Sequence, residues 1–293
     1  MRASMTVTPQ NPAADLDRRV ADAVAAIRAH TPLTPAVGLT LGSGLGGVVD
    51  AIEQATVLPT AELPHWPRST VAGHAGRIAV GAWQDTPVVA LAGRSHRYEG
   101  YALDQVTFAV RVMHALGARL MVFTNAVGAI HPEYLPGEIV VASDHINFIG
   151  KRALFTNAEL AERRAGRRVA SVYDRDLRER MVAAGLRTGN RLRLGTLMGG
   201  QGPAYETAAE VRMARRFGAD VACMSTVHEA TVAAELGCRV VCLSCITNRA
   251  TGLSATPLTH HEVTEVADRV AGSLRAVLAE FLRTLAAADG ARA

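Results

Sequence analysis

Short apolar runs rich in β-branched residues alternate along this chain with segments of helical apolar spacing, and this alternation sets the class of fold. Strands are predicted at 36–41, 77–83, 87–93, 119–125, 138–144, 192–199, 220–225 and 239–248. Helices are predicted at 16–30, 45–53, 103–116, 174–187, 207–217, 227–236 and 260–286. Crossover helices join parallel strands and cover both faces of a sheet. We therefore expect an α/β fold, with a central mixed, largely parallel β-sheet flanked by helices.

The 293 residues are expected to form one domain, because large α/β folds reach this length around a continuous core. A polar, proline-containing leader is predicted at 1–14, the domain at 15–286 and a tail at 287–293. The segment 148–172 is polar, rich in arginine and poor in periodic apolar positions, which predicts a long surface excursion.

Hydropathy and charge argue against two classes of partner. Every apolar run is shorter than the roughly 20 residues that span a bilayer, and residues 1–20 lack the apolar segment of a secretory signal. A cytoplasmic protein with no membrane partner is expected. The formal net charge is +4, but the arginines are scattered among acids and aromatic residues make up only 4% of the chain. Stacking platforms for nucleic acid are therefore not expected, whereas a small anionic substrate suits the charge.

Cysteine and histidine spacing predicts no metal centre. The four cysteines are Cys223, Cys238, Cys242 and Cys245. The Cys-x-x-Cys pair lies inside an apolar run and no second pair completes a zinc set, so buried thiols are expected. His260 and His261 are neighbours at the start of the last predicted helix, where adjacent side chains point about 100° apart and do not converge on one ion.

A glycine-rich loop, 42–47, follows the first predicted strand and leads into a helical start. Such a loop presents free backbone N–H groups and a positive dipole to an anion, and Ser43 adds a hydroxyl. The loop also matches the dinucleotide pattern G-x-G-x-x-G, but the acid at the required distance, Glu62, lies in a proline-flanked stretch rather than at the end of a second strand. Phosphate binding without a dinucleotide is favoured; a glycine turn without a ligand stays open.

Arginine and histidine follow the third predicted strand, at Arg94 and His96. Arginine offers a planar fork of donors that matches phosphate oxygens, and a nearby histidine adds another donor. These two residues are predicted to bind a ligand, because packing does not explain them at a strand end. Arg97 and Glu99 are interpreted as an ordinary surface pair.

Polar residues follow several other strands. Ala126 lies in a turn of small residues whose backbone amides can contact an oxyanion, and Asn248 can both donate to and accept from a ligand. Glu206 and Ser225 each precede a predicted helix, so a role limited to the helix N-terminus stays open for both. His74 lies in a tight glycine turn and is a candidate to cover a site.

The set of strand-end motifs resembles one family, the trimeric class of purine nucleoside phosphorylases. The resemblance extends from about residue 16 to 283 in the family's order. The matching segments are LGSGLGG (41–47), RSTVAGHAGRIAVG (68–81), GRSHRYEGY (93–101), TNAVGAIHP (124–132), SDHIN (143–147), GPAYETAAEVRMARRFGAD (202–220), MSTVHEATVA (224–233) and CITN (245–248).

The resemblance implies reversible phosphorolysis of purine (2′-deoxy)ribonucleosides in purine salvage, by a homotrimer that needs no cofactor because phosphate is a co-substrate. It implies phosphate-binding residues Ser43, His74, Arg94, His96, Ser225 and the backbone N–H of Ala126. It implies ribose-binding residues Tyr98, Met224 and His260, and purine-binding residues Tyr205, Glu206 and Asn248. Asn248, His96 and Glu206 are the implied catalytic residues, with Asn248 facing purine N7 as charge builds on the departing base.

Asn248 also bears on specificity, because related 5′-methylthioadenosine phosphorylases typically carry Asp at this position. The asparagine implies a preference for the 6-oxopurines inosine and guanosine. The sequence departs from the family at Val127 and Ala129, at His228 in place of proline, and at Tyr205 where mammalian members usually carry Phe. An aromatic residue from 148–172 is expected to reach a neighbouring subunit, with Phe148 and Phe155 as candidates.

Other functions remain as alternatives to be tested. A 5′-methylthioadenosine-type phosphorylase would share the fold, and a non-catalytic nucleoside-binding protein would keep the purine residues without needing the phosphate set. A nucleoside hydrolase would need an aspartate-rich calcium site, which the sequence lacks, and a nicotinamide-dependent dehydrogenase would depend on the glycine motif alone.

Overall fold

A computed structural model of the chain describes residues 12–42, 46–70, 76–150, 171–254 and 260–290. The strands in these ranges are β1 Val37–Leu41, β2 Glu53–Pro59, β3 Arg77–Trp83, β4 Thr86–Ala92, β5 Leu120–Ala129, β6 Ile139–Asn147, β7 Leu192–Gly199, β8 Val221–Cys223 and β9 Arg239–Arg249. The α-helices are α1 Pro12–Arg28, α2 Leu103–Val106, α3 Phe108–Leu116, α4 Arg175–Arg187, α5 Ala208–Arg216, α6 Val227–Glu235 and α7 His260–Gly290.

The described strands form one mixed sheet in the order β2-β3-β4-β1-β5-β8-β7-β6-β9. β5 also pairs with β9, so the strands from β5 to β9 close into a ring. Five of the nine pairings in the described ranges are parallel, including those that join β1, β4, β5 and β9. The predicted fold, a mixed α/β sheet flanked by helices, is confirmed.

Strand β5 changes its neighbour part-way along, and this creates a gap in the sheet. Its first half pairs with β1, whereas its last two residues, Gly128 and Ala129, pair with β8. Gly42 follows β1 at the gap, where a Cβ atom on it would lie only 2.8 Å from the Cα of Asn125. Only glycine fits this close approach. The polar groups of Asn125 and Ala126 therefore lie where the sheet opens.

Hydrophobic cores cover both faces of the sheet. On one face, α1, α3 and α6 pack around fully buried Phe108 and Phe123. On the other face, α4 and α7 pack around Leu177 and Phe281. All five residues of β1 are buried, as expected of a strand that is covered on both sides.

The predicted helix 45–53 is wrong. A short 3₁₀ helix occupies Gly46–Ala51, and strand β2 follows immediately. β2 is an edge strand with only intermediate or exposed residues, so its sequence carries too few apolar positions to predict it. The predicted helix 103–116 is divided at Thr107 into α2 and α3.

The predicted boundaries shift at three further places. Helix α1 begins at Pro12, inside the predicted leader, and α7 continues to Gly290, inside the predicted tail. Ile149 is 6% exposed and packs in the core, so the predicted surface excursion does not begin at 148. Most of that excursion, with Phe155, lies outside the described residues. In the described ranges, no helix is both long enough and apolar enough to cross a membrane.

Phe281 tests the placement of α7 against the sheet. Its side chain is fully buried, so Phe281→Ala should lower the free energy of unfolding by about 3–5 kcal/mol. Urea denaturation followed by circular dichroism measures this. The control is Leu186→Ala on α4, whose parent side chain is 67% exposed and whose effect should stay below about 0.5 kcal/mol. Equal effects of the two substitutions would contradict the placement.

Candidate active site

One cavity lies at the gap in the sheet, at the carboxyl ends of β1, β4, β5, β8 and β9. It holds about 770 Å³ of empty space, including the solvent at its mouth. Nine of the residues predicted from the sequence line it: Arg94, His96, Tyr98, Ala126, Tyr205, Glu206, Met224, Ser225 and Asn248. Ser43 and His74 lie outside the described residues, and His260 begins α7 with its side chain outside them.

Arg94 is a buried cation, 5% exposed, in the wall of this cavity. Its Nη1 donates to Ser225 Oγ at 2.9 Å and to Thr226 Oγ1 at 3.0 Å. Its Nε lies 3.6 Å from Oε2 of buried Glu229. Nε and Nη2 are themselves buried and have no hydrogen-bond acceptor among the residues described. Buried donors are normally satisfied, so the arrangement suits an anion that accepts from the guanidinium.

His96 is held in one orientation by Glu99. Nδ1 lies 3.0 Å from Glu99 Oε1, which also accepts from the His96 backbone N–H at 2.6 Å. Although burial opposes it, hydrogen bonds from Thr70 and His96 keep the pKa of the Glu99 carboxyl below its usual value. Burial lowers the pKa of His96 to about 4, and the charge of Arg94 adds to this effect. At neutral pH, His96 is therefore a neutral imidazole that donates from Nδ1 to a carboxylate.

The interpretation of Arg97 and Glu99 as a surface pair is wrong. The Glu99 side chain is only 1% exposed and bonds to His96 and Thr70, while Arg97 donates to the carbonyl of Tyr101. Glu99 thus supports the site, because it connects His96 to the segment around Thr70. Arg97 and Glu99 follow His96 closely in the sequence. Their spacing alone could not show whether they hold a site residue in place or lie on the surface.

Neither Ser225 nor Glu206 is a helix cap. The residue before α6 is Thr226, and Ser225 lies one position earlier with its hydroxyl on Arg94. The residue before α5 is Thr207, whose side chain and backbone form a capping box with Glu210. The alternative that made Ser225 a simple N-cap is therefore excluded. Glu206 lies one residue before the cap of α5 and also lines the cavity.

The cavity is also lined by aromatic, carboxyl and amide groups, those of Tyr205, Glu206 and Asn248. The Tyr205 side chain is 43% exposed at the mouth, and burial raises the pKa of the neighbouring Glu206 carboxyl. Asn248 Oδ1 accepts from Thr247 Oγ1 at 2.8 Å, and Nδ2 donates to the carbonyl of Arg249 at 3.0 Å. These contacts fix the amide and leave its second N–H to donate to a ligand.

Tyr98 and Met224 line the same cavity and lie close to each other. The Tyr98 ring stacks on the His96 ring with centroids 4.7 Å apart, and burial raises the pKa of Tyr98 to about 12, so its hydroxyl stays protonated. Met224 lies beside it: a Cβ on Gly202 would lie 2.5 Å from the Met224 sulfur and 2.9 Å from the Tyr98 ring. These side chains contribute apolar surface to the cavity.

Sequence reasoning missed three polar residues behind Arg94: Asn125, Thr226 and Glu229. Each is at most 2% exposed. For Asn125 and Glu229 the signal was a polar side chain in a predicted strand or helix, which favours a buried network over solvent exposure. Thr226 lies between a predicted strand and a predicted helix and carried no such signal. The four cysteines are free and buried, as predicted.

His228, which replaces the family's proline, makes stability depend on pH. It is 3% exposed and Nε2 has no partner in the described ranges. Burial lowers its pKa to about 4, and the charges of Arg97 and His145 contribute. An unfolded histidine titrates near 6.5, so between these two values the unfolded chain binds more protons and the free energy of unfolding falls as pH falls.

The variant His228→Gln should therefore lose about 1 kcal/mol less stability than the wild type between pH 7 and pH 5, after allowance for solvent screening. Urea denaturation at both pH values measures this difference. His30→Gln is the control, because His30 is exposed beyond the end of α1. Parallel pH profiles for His228→Gln and the wild type would contradict the placement of His228.

The chain is similar to known proteins over most of its length. The sequence pattern of the phosphorylase superfamily matches residues 36–283. Purine nucleoside phosphorylase 1 of Bacillus subtilis is 41% identical over 262 residues, which cover 89% of this chain and 97% of that protein. Purine nucleoside phosphorylase 1 of Geobacillus stearothermophilus is 40% identical over 255 residues, covering 87% and 93%.

Solved structures agree in fold. The purine nucleoside phosphorylase of Schistosoma mansoni in complex with adenosine superimposes with a TM-score of 0.81 at 28% identity, covering 92% of this chain and 97% of that one. Isoform 2 from the same organism, in complex with cytosine and ribose-1-phosphate, gives a TM-score of 0.79 at 28% identity, covering 91% and 96%. The chain therefore belongs to the phosphorylase superfamily and, within it, to the purine nucleoside phosphorylases.

Proposed function

We propose that this chain catalyses the reversible phosphorolysis of purine (2′-deoxy)ribonucleosides to the free base and (deoxy)ribose 1-phosphate, as a step of purine salvage. The observation that carries the proposal is that Arg94 and Asn248 line the same cavity. Arg94 is a buried guanidinium with hydrogen-bond donors that have no acceptor among the described residues, and Asn248 is an amide held in one orientation. The first suits an anion, and the second suits a heterocyclic base. Solved relatives bind adenosine in one case and ribose-1-phosphate in another.

Phosphate is proposed to bind at the Arg94 end. Arg94, Ser225 and Ala126 line the cavity. The Arg94 guanidinium, the Ser225 hydroxyl and the backbone N–H of Ala126 are the proposed donors. Ser43 and His74, which lie outside the described residues, complete the phosphate set in the proposal. A cavity wall built of fixed donors recognises a tetrahedral anion without a metal ion.

Nε2 of His96 is proposed to accept a hydrogen bond from the P–OH group of hydrogen phosphate. Its Nδ1 donates to Glu99, so a neutral ring presents a lone pair at Nε2. Hydrogen phosphate carries one P–OH group at neutral pH, and this group can donate to that nitrogen. The pairing selects a protonated oxyanion and leaves the other phosphate oxygens negative.

The bond that breaks is the N-glycosidic bond, and its transition state has oxocarbenium character on the sugar. A bound phosphate stabilises this positive charge and attacks C1′, so no side chain forms a covalent intermediate. Tyr98 and Met224 are proposed to contact the ribose, with His260 near its 5′-hydroxyl. Tyr98 and Met224 line the same cavity as Arg94 and Asn248, and the proposal has the sugar held there between the phosphate and the base.

The departing purine gains negative charge, which Asn248 is proposed to stabilise through its second N–H on N7. Contacts that strengthen as charge develops act mainly in the transition state. Glu206 is half-buried, so its carboxylate gains from an N–H donor such as N1–H of a 6-oxopurine. Tyr205 is proposed to stack on the base. This set favours inosine and guanosine over adenosine, whose N1 carries no hydrogen.

The proposal includes a homotrimer in the cytoplasm that needs no cofactor. Phe148 and Phe217 are 44% and 62% exposed, with ring centroids 6.4 Å apart. They are an apolar surface of the kind that subunit contacts cover. Phe148 stays a candidate for the residue that reaches the neighbouring site; Phe155 lies outside the described residues.

Base release from inosine should require phosphate. With the inosine concentration fixed, the rate should rise with phosphate concentration and saturate, and base release should be lost when phosphate is removed by prior enzymatic depletion. A coupled assay for hypoxanthine measures the rate. The control is a phosphate-free buffer brought to the same ionic strength with a salt other than sulfate, because sulfate is also a tetrahedral anion. Release at an unchanged rate without phosphate would mean hydrolysis and would overturn the proposal.

Asn248→Asp should reverse the base preference. The substitution removes the N–H that faces N7 and adds an acceptor for a 6-amino group, so the inosine-to-adenosine ratio of kcat/KM should fall by about 10-fold or more. The control is Asn190→Asp, the same chemical change in the turn after α4, away from the cavity. An unchanged ratio in Asn248→Asp would contradict the assignment of Asn248 to the base.

A further inference from the structure

Thr226 has a backbone conformation that non-glycine residues rarely adopt. Its φ is 70° and its ψ is −46°, and the N–H of Val227 donates to the carbonyl of Ser225 at 2.7 Å. This is a classic γ-turn, which is rare and strained. Such strain costs about 1–3 kcal/mol and persists where the surrounding contacts impose it, often at functional sites.

The Thr226 hydroxyl is the centre of a buried hydrogen-bond network. Oγ1 accepts from Arg94 Nη1 at 3.0 Å and from Asn125 Nδ2 at 3.0 Å. A hydroxyl has two acceptor positions and one hydrogen, so these donors fill both acceptor positions. The hydrogen of Thr226 is then directed to Ser225 Oγ, which lies 3.2 Å away.

The Ser225 hydroxyl is limited by its hydrogen bonds in the same way. Its Oγ accepts from Arg94 Nη1 at 2.9 Å. It also accepts the hydrogen of the Thr226 hydroxyl, whose oxygen lies 3.2 Å away. Both acceptor positions of Ser225 are then filled, so its own hydrogen must be donated elsewhere. Ser225 lines the cavity. A hydroxyl that can only donate suits a phosphate oxygen, which only accepts unless it is protonated.

The turn is anchored from behind by Glu229. The Thr226 backbone N–H donates to Glu229 Oε2 at 2.9 Å, and the same oxygen lies 3.6 Å from Arg94 Nε. Both hydrogens of Arg94 Nη1 are donated, one to Ser225 and one to Thr226. The other amino group, Nη2, has no acceptor among the described residues. The guanidinium is thus held at Nη1 by the two hydroxyls and at Nε by the Glu229 carboxylate. The hydrogens of Nη2 are left to bind a ligand.

We propose that Thr226 is a positioning residue of the phosphate site: its hydroxyl directs the Ser225 hydrogen into the cavity and orients the Arg94 guanidinium. This inference rests on the proposed phosphorolysis. Thr226 acts through Ser225 and Arg94 rather than by contact with substrate. Its γ-turn is what brings the hydroxyl into the network, because the turn places Oγ1 between Arg94 and Asn125.

Three substitutions separate the hydroxyl from the backbone. Thr226→Ser keeps the hydroxyl, whereas Thr226→Ala removes it with the methyl group. Thr226→Gly also removes it, but glycine adopts positive φ without strain, so this variant should fold at least as stably as Thr226→Ala. Steady-state kinetics with phosphate varied at saturating inosine, and with inosine varied at saturating phosphate, give the two KM values. Thermal unfolding reports the stability of each variant.

The size of the change in KM for phosphate follows from the free energy of the hydrogen bonds to charged groups that the substitution weakens. KM for phosphate should rise about 10- to 100-fold in Thr226→Ala and Thr226→Gly, with KM for inosine within about 3-fold of wild type. Thr226→Ser should return KM for phosphate to within about 3-fold. A wild-type KM for phosphate in folded Thr226→Gly would overturn the inference, because that variant lacks the hydroxyl. Equal rises in both KM values would overturn it as well.

A binding measurement without nucleoside distinguishes this inference from the proposed function. Inorganic phosphate should raise the Tm of wild type and Thr226→Ser, and should do so much less for Thr226→Gly, as mass action requires of weaker binding. Equal Tm shifts in all three would contradict the role of Thr226 while leaving phosphorolysis intact. Base release by wild type that ignores phosphate would instead contradict the proposed function.

Discussion

A buried positive charge, the guanidinium of Arg94, is the constraint on which the arrangement of the cavity depends. Removing such a charge from water costs several kcal/mol unless hydrogen bonds and a counter-charge compensate it. The chain supplies both: Glu229 on helix α6 faces Nε, and the hydroxyls of Ser225 and Thr226 accept from Nη1. Compensation is incomplete, since Nη2 has no acceptor in the part of the chain that is described. A bound anion would complete it.

The charge balance of the site suits its proposed chemistry. Arg94 already faces a carboxylate, and His96 is neutral because burial and the nearby guanidinium lower its pKa to about 4. In the proposed reaction, phosphate held by such groups is bound mainly through hydrogen bonds and is not fully neutralised. It keeps negative charge to stabilise a cationic sugar and to attack it. A site with several uncompensated cations would bind phosphate more tightly but make it a poorer nucleophile.

Much of this was predictable from the sequence. The strand-end motifs placed Arg94, His96 and Asn248 correctly because parallel strands bring their carboxyl ends to one edge, whatever the order of the strands. The order itself was not predictable: the pairing of β5 with β9, which closes the ring, joins residues as far apart in the chain as Leu120 and Arg239. Strand β2 was missed because an exposed edge strand lacks the apolar periodicity on which prediction depends.

The supporting residues of the site were also not predictable. Glu99 was interpreted as a surface residue, and Thr226 and Glu229 were not singled out, because their roles depend on contacts with Arg94 from a distant part of the chain. Sequence motifs identify groups that meet a ligand more readily than groups that orient them. The strained turn at Thr226 in particular is a three-dimensional property, since threonine has no local preference for positive φ.

The central claim is that phosphate itself attacks the sugar. Phosphorus NMR of a reaction with inosine and ¹⁸O-labelled phosphate tests this most directly. The account predicts a sugar phosphate whose four phosphate oxygens all carry label, including the oxygen that bridges carbon and phosphorus. Free ribose as the sugar product, or an unlabelled bridging oxygen, would contradict it.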